Sequence, residues 1–236
     1  MHALVGTSGF SFDEWKGVFY PPELRAAERL DFYATRLPAV EINNTFYRMP
    51  RAEMLAGWNE RVPGAFRFAI KAPRRITHQQ RLKGAEESVR QLTSACGVLG
   101  DKLGPILFQL PPFLKKDAGA LREFLSLVRG GRPAFEFRHP SWFDDEVYQA
   151  LADAGAALVS GDPDDAPESL PLVPTAKWGY LRLRAPEYAD GALDDWAARI
   201  AQQPWREVFV FFKHEVQGPA FAQALLQRFA GSSNTP

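Results

Sequence analysis

The sequence predicts a single closed (β/α)8 barrel of the TIM type. Short apolar runs alternate with amphipathic helical patterns along the 236 residues, and parallel strands joined by helical crossovers produce this alternation. The apolar runs number eight, the strand count that closes such a barrel. A doubly wound open sheet is the competing architecture. No linker divides the chain, so we expect one domain over residues 1–230 and a flexible C-terminal tail over 231–236.

Each predicted strand is a short run rich in apolar residues. In chain order these runs read ALVGTS, AVEIN, FRFAIK, PILFQL, AFEFR, AALVSG, GYLRL and VFVFF. All but the sixth precede a stretch in which apolar residues recur at helical spacing. These helices are predicted over 28–37, 51–62, 86–99, 118–129, 144–154 and 193–201, with a last one that begins at Pro219. The sixth run precedes DPDDAPESLPLVPT, whose prolines disfavour a helix, so we expect a proline-rich loop in place of the sixth helix.

The composition removes several classes of function. The 28 basic and 28 acidic residues cancel, so net charge gives no argument for broad binding to nucleic acid or to a membrane surface. No apolar run approaches the length of a membrane span, and the first residues lack the pattern of a secretion signal. We therefore expect a cytoplasmic protein with no membrane partner. The single cysteine, Cys96, falls on the apolar face of a predicted helix and is expected to be a buried thiol.

The stretch AFEFRHPSW, residues 134–142, places charged residues within an apolar strand. Alternate residues of a strand face opposite sides, and in a barrel one side packs on the helices while the other fills the interior. Phe135 and Phe137 must then face the helices, so Glu136 and Arg138 point inward. The sequence therefore predicts a charged pair inside the barrel.

The same reasoning places polar side chains inward on the other strands. The inward set comprises Glu41, Asn43, Lys71, Gln109, Glu136, Arg138, Asp162 and Arg182. Lys213 joins this set if the alternate residues of VFVFF pack against helices. Most of these residues come late in their strands, at the end where barrel active sites are built. For one residue a structural and a functional role are equally open. For the whole ring we favour function, because burying many ionised groups costs several kcal/mol each before pairing.

Convergent basic groups predict the ligand class. Lys71, Arg138 and Arg182 suit a phosphate or a carboxylate, because arginine supplies a bidentate fork and lysine a point charge. The carboxylates of Glu41 and Glu136 are the predicted acid and base. The predicted site contains a small anionic molecule and no cofactor.

The loops contribute further candidates. His139 is the third predicted catalytic residue, because imidazole titrates near neutral pH; the alternative is a turn residue before Pro140. Trp15, Tyr47 and Trp142 are predicted to wall the substrate, with an apolar cluster over the barrel mouth as the alternative. The loop APRRITHQQRLKG is locally basic, which fits contact with a phosphate chain or a solvated surface.

Five ordered motifs resemble a known family. VGTSGFSFDEWKGVFYP, VEINNTFYRMP, FRFAIKAPRRITH, GPILFQLPP and AFEFRHPSWF are similar to the successive signatures of the YecE-like family, domain of unknown function 72. The resemblance implies a single-domain TIM-like barrel and no particular reaction. The C-terminal third departs from the commoner pattern: RLRAP stands where many members have His-Gly, and Lys213-His214-Glu215 stands where many have two asparagines. The roles of these positions stay open.

Three functional hypotheses follow. The leading one is a metal-independent hydrolase, lyase or isomerase that acts on a small phosphate- or carboxylate-bearing substrate. The second is a metal-dependent phosphoesterase or nuclease acting on nucleic acid, and the third is a non-catalytic sensor. Residues that would in principle hold a divalent metal are Glu136, His139, Asp162, His214 and Glu215. Arginine and lysine side chains are interleaved with these ligands and would repel a group of metal cations, which argues against a metal site. The sequence also contains no HExxH, GxSxG or glycine-rich phosphate loop. Protein partners are not predicted.

Overall fold

Eight parallel strands close into one barrel in the computed structural model, which describes residues 1–128, 131–162 and 169–232. Strands that follow one another in the chain are neighbours in the barrel, and β8 pairs with β1 from His2↔Glu207 to Thr7↔Phe212. The predicted (β/α)8 architecture is confirmed. The strands are β1 His2–Ser8, β2 Ala39–Ile42, β3 Arg67–Lys71, β4 Leu103–Gln109, β5 Pro133–Glu136, β6 Ala157–Asp162, β7 Trp178–Leu183 and β8 Glu207–Phe212.

Seven α-helices cover the barrel within the described residues. They are α1 Arg29–Ala34, α2 Ala52–Glu60, α3 Glu86–Cys96, α4 Ala118–Leu127, α5 Asp145–Asp153, α6 Ala192–Ala201 and α7 Gly218–Ser232. Side-chain caps fix two of the starts: Asp117 accepts a hydrogen bond from Ala120 N, and Asp144 accepts one from Val147 N. Among the described residues, no helix is long and apolar enough to span a bilayer.

The structure contains the predicted helices in the predicted order, and their ends differ by a few residues. α1 is shorter than the predicted 28–37, and a 3-10 turn at Ala26–Glu28 precedes it. Between β6 and β7, residues 169–177 contain no helix, in agreement with the predicted proline-rich loop; residues 163–168 of that loop lie outside the described residues. α7 continues through Ser232, two residues into the predicted tail, and 233–236 lie outside the described residues.

The two faces of the sheet carry different layers. Val208, Val210 and Phe212 belong to the large apolar cluster between sheet and helices, so the orientation of β8 on which the Lys213 prediction depended is confirmed. The barrel interior is filled by a second cluster: Leu4, Ala39, Ala69, Leu107, Ala134, Ala157, Val159, Tyr180, Phe209 and Phe211. This apolar layer closes the barrel below its carboxyl end.

A polar layer lies directly above the apolar one. On five strands the next inward residue, two positions and roughly 7 Å further along, is polar. The pairs are Ala39 and Glu41 on β2, Ala69 and Lys71 on β3, Leu107 and Gln109 on β4, Ala134 and Glu136 on β5, and Tyr180 and Arg182 on β7. The alternation along each strand therefore places these five polar side chains in the interior at the carboxyl end of the barrel.

On β6 the predicted orientation was wrong. Ala157 and Val159 face the interior, so Ser160 and Asp162 lie on the outer face. Ser160 Oγ donates to Pro171 O at 2.6 Å, and Asp162 accepts hydrogen bonds from Tyr188 OH at 2.7 Å and from Arg184 N. The run AALVSG is apolar on both faces, so its alternation gave no contrast from which to choose the inward side.

Gly6 permits β1 and β2 to pack closely. A Cβ there would lie 1.9 Å from Ala39 O and 2.9 Å from Tyr33 OH, whose hydroxyl already joins β1 to β2 through Thr7 N and Ala39 O. We expect Gly6→Ala to lower the free energy of unfolding by roughly 1–3 kcal/mol, as overpacking does.

Urea denaturation measures this effect, and Gly57→Ala is the matched control. Gly57 is exposed on α2, and a Cβ there meets no atom within 4 Å, so this substitution should add about 0.5–1 kcal/mol through helix propensity. Equal stability of the two variants would contradict the packing argument.

Candidate active site at the carboxyl end of the barrel

A buried arginine joins two carboxylates at the centre of the polar layer. Arg182 Nη1 donates to Glu136 Oε2 at 2.5 Å, and Nη2 donates to Glu41 Oε1 at 3.0 Å. Arg182 Nε is also 2.9 Å from Glu41 Oε2, an ion-pair contact without hydrogen-bond geometry. All three residues are at most 4% exposed. Because β2, β5 and β7 are not neighbours in the barrel, Arg182 connects three separate parts of its wall.

Further hydrogen bonds surround the Glu41 carboxylate. Ser8 Oγ donates to it at 2.7 Å, Tyr180 OH at 2.7 Å and Asn43 Nδ2 at 2.9 Å. Burial acts against the charged form, but the charge of Arg182 and the donors Ser8 and Tyr180 outweigh it, so the pKa of Glu41 is lowered. Glu41 is therefore ionised at neutral pH.

Glu136 has a similar environment. Gln109 Nε2 donates to it at 2.6 Å and Arg138 Nε at 3.2 Å. Burial again opposes ionisation, but Arg182 and Arg138 outweigh it and lower the pKa of Glu136 to about 2. The acid–base role predicted for Glu41 and Glu136 does not fit this geometry, because both carboxylates stay ionised and each oxygen already has a donor.

A cavity of about 760 Å³ opens above this cluster. Five of the predicted site residues line it: Asn43, Tyr47, Lys71, Gln109 and Arg182. The rest of its described lining consists of Ser8, Gly9, Phe10, Ser11, Phe12, Ile42, Asn44, Phe46, Trp58, Arg184 and His214. The volume lies within the range of small-molecule sites, roughly 300–1,000 Å³. Among these described residues no Asp or Glu lines the cavity, whereas lysine and two arginines do.

Lys71 reaches this cavity from the end of β3. Its Nζ lies 4.4 Å from the centre of the Phe46 ring, and within the described ranges it makes no hydrogen bond or ion pair. Burial lowers the pKa of Lys71, and the charges of Arg182 and Arg184 lower it further, to about 8. Glu41 and Glu136 act in the opposite direction without cancelling these effects. Lys71 can thus exist partly as a free amine close to neutral pH.

His78 lies behind the same aromatic ring. Its imidazole packs edge-on against Phe46, with 5.0 Å between ring centres, and its Nδ1 is 2.9 Å from Thr77 Oγ1. Burial and then the charge of Lys71 lower the pKa of His78, so it is neutral at pH 7. His78 belongs to the basic loop of the sequence, part of which folds into a π-helical turn at Arg75–Gln79.

Sequence reasoning missed several lining residues. Arg184 continues the inward alternation of Arg182, which was the one available signal. Phe10, Phe12 and Trp58 come from loops and a helix, where no alternation indicates direction. His214, which the sequence suggested only as a metal ligand, lines the cavity and stacks on Phe12, with 4.7 Å between ring centres.

The structure does not place Trp15 and Trp142, the two predicted wall residues, in the lining of the cavity. Both are at most 1% exposed. Trp15 Nε1 lies 3.2 Å from the carbonyl oxygens of His214 and Glu215, and Trp142 Nε1 donates to Leu114 O at 2.7 Å. They are packing residues, because each indole fills a gap between loops and uses its only donor on the backbone.

Four other predicted site residues do not line the cavity. His139 Nδ1 accepts from Ser141 N at 3.2 Å and caps a 3-10 turn at Pro140–Trp142, which is the structural alternative for this residue. Arg138 is not among the residues that line the cavity, and its Nε contacts Glu136. Lys213 Nζ lies 3.1 Å from Glu215 Oε1. Asp162 is turned to the outer face, where burial raises its pKa. Over the described ranges, no three His, Cys, Asp or Glu side chains are grouped so as to hold a metal ion.

Glu136→Gln tests the buried charge cluster. Removing one charge leaves Arg182 and Arg138 under-compensated, so we expect a loss of about 3–5 kcal/mol in the free energy of unfolding at pH 7. The pKa of Glu136 is about 2 in the fold against 4.5 as its ordinary value. The wild type should therefore exceed Glu136→Gln in free energy of unfolding by the full amount above about pH 5, and this difference should disappear as pH falls toward 2.

Urea denaturation of both proteins between pH 7 and pH 3 measures this difference. Glu123→Gln, at an exposed position of α4, is the control and should follow the wild type throughout. A Glu136→Gln profile parallel to that of the wild type would refute the cluster's role.

Lys71→Met tests the cost of the buried amine. Between about pH 8 and pH 10.5, Lys71 keeps its proton in the unfolded chain but has lost it in the folded protein. The free energy of unfolding of the wild type therefore rises with pH in this window. We expect Lys71→Met to be more stable than the wild type by ~3 kcal/mol at pH 7, with the gap closing by about pH 10. Denaturation at both pH values measures it.

The exposed Lys115 provides the control, since Lys115→Met should show no such pH-dependent gap. A Lys71→Met protein that is less stable than the wild type at pH 7 would contradict the argument.

Comparisons with known proteins agree with this architecture. Residues 4–235 match the model of the family "Protein of unknown function DUF72". The chain is 27% identical over 241 residues to UPF0759 protein YunF of Bacillus subtilis, covering 85% of this chain and 86% of that protein. It is 33% identical over 116 residues to UPF0759 protein YecE of Escherichia coli, covering 48% and 43%. The crystal structure of a DUF72 family protein from Thermotoga maritima superposes with a TM-score of 0.82 at 28% identity, covering 98% of this chain and all of that one. The chain therefore belongs to the DUF72 family, as its motifs predicted.

Proposed function

We propose that this protein is an enzyme that binds a small phosphate- or carboxylate-bearing molecule in the cavity and acts on it as a hydrolase, lyase or isomerase. The observation that carries the proposal is the composition of the described lining. Lys71, Arg182 and Arg184 meet there, while Glu41 and Glu136 lie beneath and hold Arg182. A concave, partly desolvated site with convergent cations favours an anion.

The hydrogen bonds beneath the cavity support a fixed anion site. Glu41 and Glu136 hold the Arg182 guanidinium from two sides, so its orientation is set before a ligand enters. Gln109 and Asn43 add amide groups to the lining, and each is itself held by one of these carboxylates. Such preorganised donors stabilise charge on a ligand without reorganising during the reaction.

Lys71 takes the role of proton carrier in this proposal. A general acid or base works best when its pKa lies near the working pH, and the pKa of about 8 meets this condition. Glu41 and Glu136 do not meet it because they stay ionised. Aromatic side chains, including Phe46 and Trp58, line the same cavity and would exclude water around the reacting group.

A thermal-shift panel tests the proposal with inorganic phosphate, sugar phosphates, dicarboxylates and short oligonucleotides. A ligand at ~100 times its Kd adds about 2.7 kcal/mol of stability, so we expect a clear rise in Tm with a small anion. The rise should diminish in Lys71→Gln and weaken between pH 7 and pH 9, as Lys71 loses its proton.

Lys115→Gln, at an exposed position outside the cavity, is the matched control and should respond like the wild type. A panel without a response to any small anion, or an equal response in Lys71→Gln, would contradict the proposal. Stabilisation by oligonucleotides alone would favour the nucleic-acid hypothesis instead.

A further inference from the structure

The stability of the fold does not explain why the cation of Lys71 is buried. It is 9% exposed, and within the described part of the chain its ammonium contacts the Phe46 ring and makes no hydrogen bond or ion pair. Burying an uncompensated charge is unfavourable, and lysines are rarely buried unless paired. Arg182, by contrast, has two carboxylates. The amine is thus left available on the cavity side.

From this geometry we infer that Lys71 is a nucleophile that forms an imine with the aldehyde or ketone group of an anionic substrate. The inference rests on the proposed function, since the anionic group must bind in the same cavity, and it assigns Lys71 a covalent role in place of proton transfer. It narrows the substrate class to carbonyl compounds that carry a phosphate or a carboxylate, such as oxo acids and sugar phosphates.

The chemistry needs no oxidant, reductant or second substrate. The free amine of Lys71 attacks the carbonyl carbon, a C–N bond forms, and the electron pair of the C=O bond moves to oxygen. The nitrogen then loses a proton, the oxygen leaves as water after protonation, and a protonated imine remains. Amine, carbonyl compound and one proton therefore give iminium and one water.

The surroundings of Lys71 suit each stage of this reaction. Burial and the nearby charge of Arg182 favour the free amine that must attack. Once the iminium has formed, its positive charge is restored at the same nitrogen, where the fields of Glu41 and Glu136 favour it. Phe46 packs against the nitrogen at 4.4 Å and stabilises a cation through its ring face.

Borohydride trapping tests the inference directly. The protein is incubated at pH 7.5 with glyoxylate, pyruvate or glyceraldehyde 3-phosphate, then reduced with sodium borohydride, which converts an imine into a stable secondary amine. Peptide mass mapping locates the adduct. At this pH the free-amine fraction of a lysine with a pKa of about 8 is roughly 200 times that of an ordinary lysine. We expect labelling at Lys71 to exceed that at the exposed Lys115 at least ~10-fold with one or more probes.

Two controls keep the outcome decisive. Lys71→Arg retains the charge but cannot form the imine, so its adduct at this position should vanish while labelling at Lys115 is unchanged. The non-carbonyl analogues lactate and glycerol 3-phosphate report anion binding by thermal shift. If they stabilise the protein while Lys71 is labelled no more than Lys115, the imine is refuted and the anion site stands. If they do not stabilise it and Lys71 is not labelled, both proposals fail.

Discussion

The contact of Arg182 with Glu41 and Glu136 is the interaction on which the mouth of the barrel depends. Removing three charged groups from water costs several kcal/mol for each, and this loss is recovered only when every charge is paired and hydrogen-bonded. Donors from β1, β4 and β7 complete the pairing through Ser8, Gln109 and Tyr180. Strands that do not touch in the sheet are therefore joined through their side chains, and the floor of the cavity has one arrangement that satisfies all of these groups.

The same contact decides which groups remain for chemistry. Because the carboxylates are ionised and engaged, they orient Arg182 and do not titrate near neutral pH. Lys71 lies within the field of this cluster but outside its hydrogen bonds, and burial together with the charges of Arg182 and Arg184 keeps its pKa lowered. Buried groups that oppose stability are frequent at functional sites. The arrangement thus joins a guanidinium of fixed orientation to a neighbouring amine with a lowered pKa.

Membership of the DUF72 family fixes the architecture of this chain but not its reaction, because closed α/β barrels support many unrelated chemistries. Side chains at the carboxyl end of the strands therefore carry the proposed function. Arg184 and His214, which lie in the part of the sequence where the family resemblance is weaker, contribute directly to the cavity lining. The C-terminal third of the chain thus forms part of the cavity wall.

The sequence by itself determined the barrel, the order of its strands and most of the polar layer. Where charged and apolar residues alternate, as Phe135 and Phe137 do with Glu136 and Arg138, the inward face is readable, because only one orientation keeps the apolar side chains against the helices. Where both faces are apolar, as around Asp162 on β6, alternation carries no such information. Only the tertiary structure decided that Glu41 and Glu136 are fully engaged by donors. It also decided which aromatic side chains reach the cavity and that Lys71 keeps a lowered pKa. These properties arise from distances between residues on separate strands, and a pattern along one strand does not contain them.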